Sequence, residues 1–109
     1  MILVSATLTG HSQSHNINLI LDTGASYTMI SPEILMRIGC DPTQSEDKRP
    51  ITTASGIEYV SFLKIGSLKT LGVSLSSVEV CAHTLPPNLP ARGLLGLSFL
   101  RRGRRQTPR

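Results

Sequence analysis

The sequence predicts a mainly β domain, a small closed or partly open barrel with one or two short helices. Three observations lead there. Runs rich in β-branched and apolar residues recur along the chain, separated by short breaks containing Gly, Ser or Pro. One segment, opening Ser31-Pro32-Glu33, carries a strong helix start. The length of 109 residues at 39% hydrophobic content supports a single modest core. The same composition is too apolar for a disordered chain and is neither collagen-like nor disulfide-dense. No run approaches the ~20 apolar residues that a membrane helix needs.

The first strand is read over residues 2–9, Ile-Leu-Val-Ser-Ala-Thr-Leu-Thr. Residues 10–15 are turn-like, and residues 16–21 alternate polar and apolar before Ile20-Leu21, which makes a hairpin running straight into Asp22-Thr23-Gly24. Residues 27–30 form another short strand. Ser31 then offers a helix cap, Pro32 suits the first helical position, and Glu33 favours the positive end of the helix dipole. Ile34, Leu35 and Ile38 supply an apolar face, and Gly39 ends the helix. Residues 41–50 read as a surface loop. Strands follow at 51–54 and 57–65 around a Ser55-Gly56 turn, then at 68–75 and 78–83. Three prolines make residues 84–90 an irregular connection, and Leu94-Leu95 lies between Gly93 and Gly96. Ser98 caps a brief helix through Arg101.

Charge divides sharply along the chain. Eleven basic against seven acidic residues give +4, but Arg101, Arg102, Arg104, Arg105 and Arg109 lie in the last nine positions. Residues 1–100 therefore carry six basic and seven acidic side chains, a net of −1. The sequence predicts a folded domain over 1–102 and a basic, disordered tail over 103–109. The body shows no electrostatic footprint for nucleic acid, and none is expected as a partner. Cys40 and Cys81 lack a CxxC spacing and read as buried free thiols of a reducing compartment. With no signal-peptide pattern after Met1-Ile2-Leu3-Val4, the expectation is a cytoplasmic protein without a membrane segment. His11 and His15, four apart, flank a turn and read as surface histidines, so no metal site is expected. A Gly-rich phosphate loop and a Gly-x-Ser-x-Gly elbow are both absent, and no cofactor is expected.

One carboxylate stands out. Asp22 follows the apolar run 17–21 at a Gly-containing turn, where backbone N–H groups and the Thr23 hydroxyl are positioned to bond it. Taken alone, this is an Asp that starts a turn. In order, however, the chain holds Asp22-Thr23-Gly24, a hairpin tipped by Ser55-Gly56, and Leu94-Leu95-Gly96 before a short helix. This constellation resembles the retropepsin-like aspartic peptidases, single-domain relatives of pepsin, over about residues 1–102. The resemblance implies that Asp22 is catalytic, that Thr23 locks two active-site loops together, and that Gly24 lets substrate backbone come close. It further implies that Ala25 and Ser26 face bound peptide, and that the hairpin over about 51–59, with Ala54, Ser55 and Gly56 at its tip, is a flap closing over substrate. Leu94 would line a side-chain pocket, with Leu95 behind the catalytic loop.

This chemistry needs two carboxyls sharing a proton. Asp41, before Pro42, and Asp47, before Lys48, lack the Thr-Gly context, so one chain cannot assemble the site. A symmetric homodimer with Asp22 from each copy on the axis is the economical solution. The implied function is an aspartic endopeptidase that hydrolyses peptide or protein substrates in extended form through a water held between the two Asp22 carboxyls. An acidic to near-neutral optimum is expected, and Ile51, Ile57 and Leu94 suggest apolar substrate side chains. The alternative is a non-catalytic binding or dimerisation module on the same fold. A third reading, nucleic-acid binding through the arginine tail, predicts strongly salt-dependent binding.

The chain departs from the viral pattern at three places and looks closer to cellular and bacterial relatives. Its flap has one glycine, Gly56. Where many viral members pair an acidic residue with an arginine, it holds Ser26 and Leu97. Beyond Leu100 it offers arginines in place of an interleaving strand, which predicts a weaker, concentration-dependent dimer.

Overall fold

In a computed structural model of the chain, which describes residues 1–106, β1 (Leu3–Thr9) and β2 (Ser14–Leu21) form the first hairpin, in antiparallel register from Leu3↔Ile20 to Thr9↔Ser14. Their alternation puts Ala6, Leu8, Ile17 and Leu19 into the core and leaves Ser5, Thr7, Asn16 and Asn18 on the opposite face. After β2 the chain makes a loop and enters β3 (Met29–Ile30), then α1 (Pro32–Arg37), a 3-10 turn over Pro42–Gln44, and β4 (Lys48–Thr53). β5 (Gly56–Thr70), β6 (Val73–Ala82), β7 (Gly93–Leu95) and α2 (Leu97–Gln106) complete it. Among the described residues no helix is long and apolar enough to cross a membrane.

The strands run in the order β1-β2-β7-β3-β6-β5-β4, and β1 also pairs with β5. Six strands therefore close on themselves, and β4 projects from the ring as the partner of the outer half of β5. β7 is parallel to β2 and antiparallel to β3, so it is wedged between the strand entering the Asp22 loop and the strand leaving it. The main core gathers Leu8, Leu19, Ile34, Leu35, Leu68 and Leu95 with their neighbours. A second, smaller cluster of Ile51, Val60, Phe62 and Cys81 lies under the projecting hairpin, with Met29 packed against it. Both cysteines are free and buried, Cys40 in the first cluster and Cys81 in the second.

Several element expectations need adjustment. Ser31 begins α1 with its carbonyl, which accepts from Ile34 and Leu35, while its hydroxyl is buried and makes no cap bond. The loop read over 41–50 contains the 3-10 turn, capped by Asp41, and β4 starts inside it at Lys48. β5 continues past residue 65 without a break, and the next turn is Leu71-Gly72, both at positive φ (+54 and +74), rather than residues 76–77. α2 is longer than expected and passes through the predicted domain boundary at 102. Gly103 lies inside α2 and is buried against Val73 on β6. Residues 107–109 of the expected tail lie outside the described residues.

Candidate active site

Asp22 is half-buried at the end of β2. Its backbone N–H donates to the Leu95 carbonyl (3.1 Å), its own carbonyl accepts from Ala25 (3.2 Å), and its carboxylate oxygen Oδ1 accepts from the Gly24 N–H (2.9 Å). A tight turn at Thr23-Gly24 thus folds the loop back over the carboxylate and fixes its orientation. A Cβ on Gly24 would stand 3.2 Å from that oxygen. Thr23 and Ser26 are exposed and Ala25 is half-buried. Among the described residues, the Thr23 hydroxyl has no partner.

The loop over 22–28 arches across the end of β7 and is tied down from below. Leu97 and Ser98, at the start of α2, donate to the Ala25 and Ser26 carbonyls (2.9 and 3.1 Å). The Gly96 N–H donates to the hydroxyl of Thr28, which is fully buried (3.1 Å). Thr28 returns its carbonyl to the Cys81 N–H (2.9 Å), joining the loop to β6 as well. This packing leaves no room at residue 96: a Cβ there would lie 2.3 Å from the Tyr27 carbonyl oxygen. Leu95 is fully buried behind the loop, and Leu94 is half-buried, facing the other side of β7 between Ile20 and Met29. The sequence reading passed over Thr28, whose signal was a hydroxyl residue inside the otherwise strand-like Tyr27-Thr28-Met29-Ile30.

The hairpin of β4 and the outer half of β5 is the candidate flap. Ala54 and Ser55 make its turn, and Gly56 follows at φ +117, as a turn closed by a glycine requires, so the tip falls one residue earlier than expected. The Thr53 hydroxyl donates to the Gly56 carbonyl (2.9 Å) and accepts from the Ser55 N–H (3.2 Å). Register pairs Ile51 with Glu58 and Thr52 with Ile57. Ile51 and Ile57 consequently point to opposite faces and cannot both border one cleft, contrary to expectation. Ile51 is buried in the second cluster, whereas Ile57 is 71% exposed beside Tyr59 at 72%. The hairpin's base is pinned by Arg49, which bonds Asp47 (2.7 Å) and Glu79 (2.9 Å) and stacks over Phe62 (4.2 Å). Phe62 in turn meets Tyr27 edge-on at 4.9 Å, connecting the hairpin to the Asp22 loop. Further out, His83 Nε2 lies 3.1 Å from Glu58, and this contact holds the Glu58 carboxyl below its ordinary range.

The chain's other two aspartates are engaged elsewhere. Asp41 accepts from the hydroxyl and N–H of Thr43, and those bonds lower its pKa. Asp47 is held low by its hydrogen bonds from Arg49. Asp22 alone lies in the loop formed by β2, β3 and β7.

Comparison with known proteins agrees with this arrangement. A family model described as "gag-polyprotein putative aspartyl protease" matches residues 8–102. The crystal structure of a retropepsin-like aspartic protease from Rickettsia conorii matches with a TM-score of 0.70 at 23% identity, over 93% of this chain and 78% of that one, which shows a shared fold. No curated protein matches the sequence.

Proposed function

We propose that this chain, which belongs to the retropepsin-like aspartyl protease family, acts as an endopeptidase assembled from two identical copies. Family membership implies peptide substrates. The observation that carries the reading is the Asp22 loop itself: one half-buried carboxylate, oriented by the Gly24 N–H at 2.9 Å and backed by buried Leu95. Two such carboxyls brought to about 3 Å cannot both ionise, so one retains a proton while the other takes a proton from the attacking water. The protonated member hydrogen-bonds the scissile carbonyl, and no covalent enzyme intermediate forms.

A second copy is needed because the chain's two other aspartates are engaged elsewhere. Asp41 caps a 3-10 turn and Asp47 pairs with Arg49. The surface near Asp22 favours such a partner. Ile2 accepts the Leu21 N–H at 2.8 Å beside the catalytic strand end, and Met1, Ile2 and Leu3 are 75%, 60% and 41% exposed. An exposed apolar run at that position favours burial against a copy of itself. In this reading Thr23 locks the paired loops, Gly24, Ala25 and Ser26 run beside the peptide backbone, and the tip at Ala54, Ser55 and Gly56 covers it. Leu94 borders a side-chain pocket.

Cleavage of a peptide library by wild type and by Asp22→Asn tests the reading. Wild type cuts, and the variant keeps its circular-dichroism spectrum but loses cleavage. Equal cleavage by both overturns the assignment of Asp22, and cleavage by neither favours a binding module.

A further inference from the structure

The outer face of the β1–β2 hairpin, away from the Asp22 loop, carries a feature that peptide hydrolysis does not use. Register there sets Thr7 between Asn16 on β2 and Lys69 on β5, and Ser5 beside Asn18. Arg92 joins the same surface through its N–H, which donates to the Asn18 carbonyl at 3.0 Å. With Arg37 from the end of α1 and His15 from β2, these residues border a groove of about 670 Å³. That volume falls within the range of roughly 300–1,000 Å³ common for small-ligand sites.

Charge in this groove is one-sided. Of the six basic side chains in residues 1–100, three (Arg37, Lys69 and Arg92) line it, and none of the seven acidic ones does. Among the described residues, Arg37 and Lys69 have no ion-pair partner, and Arg92 reaches only Glu33, at 3.7 Å with both side chains exposed. Arg49, by contrast, is bound by two carboxylates. The polar floor adds donors. The Thr7 hydroxyl donates to Asn16 Oδ1 (2.8 Å), which uses the amide's acceptor and leaves its two N–H donors unspent.

Such a surface calls for a ligand made of acceptors and negative charge. Lys69 and Arg92 stand about three strand spacings apart, on the order of 14 Å. A single small anion meets both edges only if both long side chains extend fully toward each other, at a cost in rotamer entropy. A short chain of linked phosphoryl groups can meet both, and arginine forks match phosphoryl oxygens bidentately. We propose that this groove binds a small ligand carrying two or three linked phosphoryl groups. The inference is independent of the peptidase reading and survives its failure.

Isothermal titration of the full chain with tripolyphosphate, at low salt and without divalent metal, tests it. The expected result is saturable binding of one ligand per chain. Arg37→Glu and Lys69→Glu, on different elements, should each weaken it by about tenfold or more. Lys64→Glu, and Arg105→Glu combined with Arg109→Glu, should leave it within about twofold. A nucleoside triphosphate run alongside distinguishes the sources: equal affinity indicates recognition of the phosphoryl chain alone, and tighter binding indicates a nucleotide. Unchanged urea midpoints for the two groove variants separate lost binding from lost folding. Absence of saturable binding, loss only in the arginine-tail variant, or tighter groove-dependent binding of a single-stranded oligonucleotide would each overturn the proposal.

Discussion

Replacing Thr28 by Val isolates the bond that holds the Asp22 loop on its support. Thr28 is fully buried, and its Oγ1 accepts the Gly96 N–H at 3.1 Å. Valine keeps the branched shape but puts a methyl where the oxygen was, leaving a buried N–H without an acceptor. That situation costs about 1–3 kcal/mol. For a domain near this size each kcal/mol moves Tm by about 4–8 °C, so a loss of 2 kcal/mol lowers Tm by roughly 8–16 °C. Thr28→Ser is the control: it keeps the acceptor and loses one methyl, at about 1 kcal/mol. Urea and thermal melts at one protein concentration compare all three proteins. The order wild type, Ser, Val is expected. A Val variant as stable as wild type, or a Ser variant less stable than Val, would refute the role assigned to the hydroxyl.

Gly96→Ala should be more damaging, by about 3 kcal/mol or more, because the added Cβ meets the Tyr27 carbonyl oxygen at 2.3 Å and the Ala25 carbonyl oxygen at 3.0 Å, both backbone atoms with little room to move. A thermal melt matching wild type would contradict that packing. Acid should destabilise the fold, since the carboxyls of Asp41 and Asp47 are held low by hydrogen bonds from Thr43 and Arg49. Groups depressed in this way stabilise the folded state above the ordinary carboxylate range, and the contribution is lost as pH falls through about 4 and below. Asp41→Asn retains an acceptor for Thr43 but no longer titrates, so its urea midpoint should fall less than wild type's between about pH 5 and pH 3; parallel pH profiles would count against it. The Cys81 thiol is fully buried and pushed up to about 11 by desolvation, so it should resist a thiol reagent at neutral pH until the protein unfolds. Rapid labelling of the native protein at Cys81 would contradict this.

The Asp22 loop, the helix start at Ser31-Pro32-Glu33 and the glycine-bracketed Leu94-Leu95 were legible because each is a local pattern with a local cause. What escaped has its cause elsewhere in the molecule. Leucine gives no hint that residue 71 accepts φ +54, and the turn there follows from pairing β5 with both β1 and β6. The helix read through Arg101 continues to Gln106, and the packing of Gly103 against Val73 appears only once the sheet is in place. Ser26 and Leu97 lack the charged side chains of viral relatives, yet the loop and helix are joined at the same place by backbone bonds from Leu97 to Ala25 and Ser98 to Ser26, which leave no trace in side-chain identity. The Arg49 bond to Glu79 spans thirty residues. Summing charge over residues 1–100 gave a body with no basic footprint, because the sum cannot register that half its basic side chains gather in one groove.

The most direct test of the two-copy site mixes wild type with Asp22→Asn, unfolded and refolded together, at fixed total concentration. If each site needs Asp22 from both subunits, cleavage follows the square of the wild-type fraction, and an equal mixture retains about a quarter of the activity. A fall in simple proportion, to about one half, would mean that a single chain hydrolyses peptide unaided and would contradict the shared site.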